Sequence, residues 1–189
     1  MNAQVQISRM ARQSADVLAH PSVRTFNYYS TRASDSDALT YVALGSFLVV
    51  LLSMLVMGGG NPMDLVFGVV NQLFEFYIFA GITYFIGKQF GGIGTFEDIT
   101  YTFSLFYVPV LLLSWLLMLV VVLLRLNPPS MIALISFLQL AAQAFFAYLA
   151  VQGALRVRRK RDALLTVGIA LITLWVIQMA FSRASGGVF

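Results

Sequence analysis

Ile99 to Leu124 reads ITYTFSLFYVPVLLLSWLLMLVVVLL, a run without one charged residue. At about 1.5 Å of rise per helical residue, such a stretch outlasts the roughly 30 Å hydrocarbon core of a bilayer. Inside that core only a helix or a closed barrel satisfies its own backbone polar groups, so this run is expected to be a transmembrane helix. Four further apolar runs flank it, from about Ala38 to Met57, Pro62 to Ile86, Ser130 to about Leu155, and about Asp162 to Ser182. The expected fold is therefore all-α: a polytopic bundle of five transmembrane helices over residues 38–189. A cytoplasmic amphipathic or interfacial segment, residues 1–37, precedes it. The chain's 59% apolar content and mean hydropathy of +0.83 fit that class, and 189 residues leave no room for a second domain.

The punctuation between runs supports the same division. Gly58-Gly59-Gly60-Asn61-Pro62 ends one helix with glycines and begins the next with proline, whose missing N–H is not needed in a first turn. Asn127-Pro128-Pro129-Ser130 repeats the device. Turns this short make spans one and two, and spans three and four, antiparallel neighbours.

Basic residues give the orientation. Arg9, Arg12, Arg24, Arg32, Lys88, Arg156, Arg158, Arg159, Lys160 and Arg161 fall on one side of the alternating spans, and only Arg125 and Arg183 on the other. That bias puts the amino end and the two longer loops in the cytoplasm and the carboxyl end opposite. The first apolar run starts too late and is too long for the h-region of a cleaved leader, so none is expected. The net charge of +4 then reports topology, and no nucleic-acid partner is expected.

Several chemistries are excluded by composition. Without cysteine there is no disulfide, thiolate metal site, iron–sulfur cluster or cysteine nucleophile. His20 is the only histidine and lies before the first span, so neither a haem ligand pair nor a metal site within one chain is expected. No cofactor and no catalytic residue emerges.

In the amino segment, Ile7, Met10, Ala11, Ser14, Val17 and Leu18 recur at helical spacing, with Arg9, Arg12, Gln13 and Asp16 opposite. Gln4 to Ala19 is thus expected to form an amphipathic helix, ended by Pro21, that lies on the bilayer and anchors the bundle. A lipid sensor or a docking helix for a soluble partner is the sharper alternative. Phe26, Tyr28 and Tyr29 beside Arg24 and Arg32 resemble the ring-and-cation mixture of headgroup level. The Arg156, Arg158, Arg159, Lys160 and Arg161 cluster is expected to set topology and attract anionic headgroups, or else to dock an acidic partner.

Gly87-Lys88-Gln89-Phe90-Gly91-Gly92-Ile93-Gly94-Thr95-Phe96-Glu97-Asp98 is the most patterned loop. It lacks the Gly-Lys-Ser/Thr and dinucleotide spacings that cradle phosphate, and Thr95 with Asp98 forms a capping-box pattern at the start of span three. Pro109, inside that span, is expected to kink it by freeing the carbonyl of Leu105, with Ser104 or a neighbouring helix compensating.

These segments carry a family resemblance. Gly91, Gly92, Gly94, Thr95, Phe96 and Glu97, followed by Ser104 to Pro109, resemble the signatures of the Yip family. So do Pro21 to Phe26, and Ala150-Val151-Gln152-Gly153 with the basic turn and Ala163-Leu164-Leu165. The resemblance covers about Pro21 to Ser182 and is closest to the short, prokaryotic-like branch. It implies five spans, a cytoplasmic amino end and no catalytic site. Eukaryotic relatives are adaptors that bind Rab-type GTPases and one another, which this branch is not expected to do.

Span interiors hold few polar groups. Glu75 lies near the middle of span two, with Asn71 and Gln72 a turn earlier, and Gln139, Gln143 and Gln178 are placed to meet it across the bundle. An intramembrane carboxyl is a functional candidate by default. Here it serves either as a register-fixing hydrogen-bond network or as a proton or cation path. The reading that follows is a non-catalytic membrane scaffold or adaptor, working through helix packing and cytoplasmic loops on lipids and other integral membrane proteins. The alternatives are an accessory structural subunit of a large respiratory or photosynthetic complex, and a small proton- or cation-conducting transporter using Glu75.

Overall fold

A computed structural model describes residues 3–56, 59–125 and 129–184. Seven helices follow in order: α1 (Ala3–Ala19), α2 (Val23–Ser30), α3 (Asp35–Val56), α4 (Pro62–Gln89), α5 (Phe96–Leu123), α6 (Pro129–Gly153) and α7 (Lys160–Ala184). Among the described residues there is no strand, and α3 to α7 are the five helices long and apolar enough to cross a membrane. The chain is an integral, multi-pass membrane protein. The expected end of the first span at Met57 and the turn residues Gly58, Asn127 and Pro128 lie outside the described residues.

Helix starts are set by local chemistry. Asn61 caps α4: its side chain accepts from Met63 N–H at 3.0 Å, while Asp64 Oδ2 accepts from Asn61 N–H at 3.0 Å. Thr95 and Asp98 form the expected reciprocal pair on α5, at 2.8 and 3.1 Å. Each box satisfies amide donors that an uncapped helix leaves without partners. Ser22 does the same for α2, accepting from Thr25 N–H at 3.1 Å.

α3 packs on α4, and α5 on α6, as the short turns require. The organising element is α5. Every residue from Ile99 to Val108 is buried, while its other half presents Leu113, Leu116, Leu117, Val120 and Leu123 outward. One half is the core of the molecule and the other a lipid-facing helix. In hydrocarbon, apolar side chains gain little by moving from lipid to protein, so close backbone approach and hydrogen bonds carry the association. Gly45 of α3 provides such an approach: a Cβ there would lie 2.6 Å from Val108 Cγ1. Trp115 Nε1 donates to Ser53 Oγ at 2.6 Å, tying the outer halves of α5 and α3.

The structure differs from expectation in three places. The buried stripe of α1 is Met10, Gln13, Ser14 and Val17, whereas Ala11 and Leu18 are exposed. Gln13, assigned by its polarity to the water side, points inward because Tyr101 on α5 offers it a hydroxyl. α1 therefore packs on α5 and α3 instead of resting on lipid alone. Phe26 and Tyr29 are not headgroup-level rings. They belong to a second helix, α2, and are buried, Phe26 completely, while Tyr28 stays outside with the Arg32 guanidinium 4.6 Å from its ring centroid. Finally, in α5, Ser104 Oγ donates to the carbonyl of Tyr101 at 2.7 Å, not to that of Leu105.

Candidate functional site

The motif segments converge on one end of the bundle. Strand-free chain alternation brings α1, α2, the α4–α5 loop and the α6–α7 junction together there, around the buried half of α5. The α4–α5 loop lies backbone-on-backbone over the junction: Ile93 N–H and Gly94 N–H both donate to the Leu155 carbonyl, at 2.9 and 3.3 Å. Glycine permits this. A Cβ on Gly94 would collide with the Ala154 carbonyl oxygen, and one on Gly92 would lie 2.8 Å from the Gly87 carbonyl oxygen. Gly91 turns the chain at φ +80°, a region that L side chains avoid.

α2 is seated by the same logic. A Cβ on Gly153 of α6 would lie 2.6 Å from the Val23 carbonyl oxygen and 2.7 Å from Phe26 Cβ, so α2 rests directly on α6. The Phe26 ring meets Phe106 edge-on at 6.2 Å, and Phe106 stacks on Phe146 at 5.7 Å. Phe96, half-buried, packs against the Tyr77 and Tyr84 rings at 6.4 and 5.7 Å. Pro109 lies just beyond the fully buried stretch, and Glu97 is exposed.

Hydrogen bonds fix α1. Tyr101 donates to Gln13 Oε1 at 2.6 Å, and the Tyr41 and Ser14 hydroxyls meet at 3.0 Å. Asp37, nearly buried at the start of α3, is paired with Arg9 and accepts from Gln6 Nε2 at 2.9 Å. Tyr29 donates to Asp16 Oδ2 at 2.7 Å, joining α2 to α1. Burial first, and the adjacent Asp16 carboxylate second, push the Tyr29 hydroxyl up to about 12. An acid held neutral in the folded state stabilises it below its unfolded value of about 10, and that contribution fades as pH rises through about 10–12. Alkaline titration should therefore release α2 from α1 in that window, read as tyrosinate absorbance accompanied by protease sensitivity near Pro21. Tyr29→Phe should remove one tyrosine's share of that absorbance and make the protease sensitivity near Pro21 independent of pH across the window.

A second feature lies at mid-depth. Gln72, Glu75, Gln139, Gln143 and Gln178, from α4, α6 and α7, line one cavity of about 500 Å³ together with Tyr107 and Trp175. Five of the six polar residues singled out in the spans thus share one space. Asn71 is exposed outside that lining and donates to Glu75 Oε1 at 3.3 Å. Glu75 is about 20 Å along α4 from either helix end, and the Gln72 amide oxygen is buried without a hydrogen-bond partner. Trp175 was legible as the residue three before Gln178 on the same helix face. Tyr107 lies inside the Ser104 to Pro109 signature, but nothing local to α5 pointed it toward the amides of the other helices. The cavity holds one carboxyl and several amides, a set that exchanges hydrogen bonds or binds a donor but contains no nucleophile–base pair.

The basic cluster divides. Arg156, Arg158 and Arg159 line a separate cavity of about 540 Å³ at the α4–α5 and α6–α7 loops, whereas Lys160 and Arg161 are exposed outside it. Among the described residues no three His, Asp or Glu side chains come together as a metal site would need.

A family model described as the Yip1 domain matches residues 15–181. The chain belongs to the Yip1 family. The match runs from the last turn of α1 into the last turns of α7, so α2 and the two loops fall within it, while Arg9, Gln13 and Ser14 of α1 precede it. Comparisons with curated proteins and with solved structures returned no match. In this Yip1-family chain Gly92 and Gly94 of the loop signature are contact points between backbones, Gly91 is its turn, and Thr95 is a helix cap.

Proposed function

We propose that this Yip1-family protein is a non-catalytic membrane scaffold whose working surface is the cap formed by α1, α2 and the two loops. The observation that carries the reading is the convergence of motif segments distant in sequence, which use glycine contacts and buried hydrogen bonds to fix one rigid end. Its outer face mixes exposed Arg12, Arg24 and Arg32 with exposed Val5, Leu18, Val23 and Tyr28, a surface suited to anionic headgroups and to other integral membrane proteins. The ten-to-two distribution of basic residues supports a cytoplasmic cap, and the resemblance to the short branch supports a prokaryotic plasma membrane, with residues 1–37 as the cap's amino part and 38–189 as the transmembrane domain. Because the chain has no cysteine, single cysteines at Arg24 and Asn61 test the orientation directly. An impermeant maleimide on intact cells should label position 61 and spare position 24; the reverse pattern would invert the topology.

Native mass analysis after mild solubilisation tests the scaffold itself. A discrete hetero-complex is expected, and a large respiratory or photosynthetic partner would narrow the role to an accessory subunit. A lone monomer under conditions that preserve other membrane complexes would remove the scaffold reading.

The mid-depth cavity favours one second reading, passage of a proton or cation past Glu75. Its test is flux into vesicles. Transport by the wild type that Glu75→Gln abolishes, with the bundle still monodisperse, would replace the scaffold by a small transporter.

A further inference from the structure

The cavity between the α4–α5 loop and the α6–α7 junction has features that general attraction to a charged surface does not require. It is lined by Gln89, Phe90, Gly91, Ile93, Arg156, Arg158, Arg159 and Asp162. Among the described residues none of its three arginines has a carboxylate within ion-pair distance; the ion pairs there are Arg9 with Asp37 and His20 with Asp16. Three guanidinium groups beside one carboxylate leave the lining with a formal excess of two positive charges. At about 540 Å³ the space is in the range of small-molecule sites, about 300–1,000 Å³, and is far more than a single phosphate ion needs.

Its surroundings are those of the membrane boundary. Gln89 is the last residue of α4, and Asp162 lies in the first turn of α7, so both membrane-crossing helices end at the cavity. About one turn deeper on α4, Phe85 is 65% exposed, and at the loop tip Ile93, itself part of the lining, is 67% exposed. Large apolar side chains this open, next to unpaired arginines, fit acyl chains below and a charged group above.

We propose that this cavity is a specific site for one anionic phospholipid. Its phosphodiester is held by Arg156, Arg158 and Arg159, with the acyl chains descending past Ile93 and Phe85. Guanidinium groups suit phosphate because their planar donors bind two oxygens at once. Asp162, an acceptor among donors, adds selectivity: it favours a headgroup that carries hydroxyls and disfavours a bare phosphate with nothing to donate. The occupied site would clamp the α4–α5 loop to the α6–α7 junction, reinforcing the hydrogen bonds to the Leu155 carbonyl.

The test uses the full chain in mild detergent, titrated with phosphatidylglycerol, phosphatidylethanolamine or inorganic phosphate and read by native mass analysis. Arg158→Gln/Arg159→Gln removes two charges from the cavity, and Lys160→Gln/Arg161→Gln removes two charges just outside it. One phosphatidylglycerol per chain is expected, weakened about 10- to 30-fold by the first pair and no more than about threefold by the second. Equal weakening by both pairs would reduce the site to diffuse attraction and overturn the proposal. Retention of lipid by the first pair, equal retention of phosphatidylethanolamine, or displacement of the lipid by millimolar phosphate would also overturn it. Both pairs alter exposed side chains, and a monodisperse elution profile verifies that each remains folded.

Discussion

Gly94→Val should unseat the α4–α5 loop and lower the stability of the whole cap. The added side chain meets the Ala154 carbonyl and the Leu155 backbone, with no flexible side chain between them to give way. Overpacking costs about 1–3 kcal/mol, and backbone-against-backbone contact puts this case at the upper end. The two hydrogen bonds to the Leu155 carbonyl would be lost with the displacement. An apparent melting temperature lower by roughly 5 °C or more is expected in detergent. Gly81→Val is the control, because a Cβ there meets nothing within 4 Å. If the two variants melted alike, the loop would not be the tight contact described.

Arg9→Met should loosen α1 although Arg9 itself is half-exposed. It strands Asp37, whose side chain is only 6% exposed, with Gln6 as its remaining partner. Breaking a buried ion pair from one side costs about 3–5 kcal/mol, but the Arg9 side chain is 42% exposed and screened by solvent, which brings the expectation to about 1–2 kcal/mol. The paired change Arg9→Met/Asp37→Leu removes the stranded charge and should recover most of the loss. Limited proteolysis within α1 checks both, since α1 must detach before it is cut. A double variant no better than the single would mean that the pair does not hold α1.

The spans were legible because hydrophobic length is a one-dimensional property: Pro62 at a helix start and Thr95 with Asp98 at another needed no partner elsewhere in the chain. Membership of the Yip1 family was legible in the short motifs from Pro21 to Ala163, and the match over 15–181 establishes it. The amino segment was harder. Polarity placed Gln13 in water, yet its amide is satisfied by Tyr101, 88 residues away, and no local pattern encodes such a pairing. Phe26 resembled an interfacial ring because Arg24 and Arg32 flank it; what buries it is the absence of a side chain at Gly153. In the spans, Glu75 and the glutamines stood out as exceptions to an apolar rule. Their gathering around one cavity depended on how α4, α6 and α7 cross.

The cap as a docking surface is tested most directly by photo-crosslinking residues placed singly at Arg12, Arg24, Asn61 and Leu113 in native membranes. All four positions are exposed, two on the cap, one at the opposite end and one on the lipid-facing half of α5. Positions 12 and 24 should each yield one identified membrane-protein adduct that weakens with Gly94→Val, while positions 61 and 113 yield none of it. The same adduct from position 61 or 113, with none from the cap, would contradict the account.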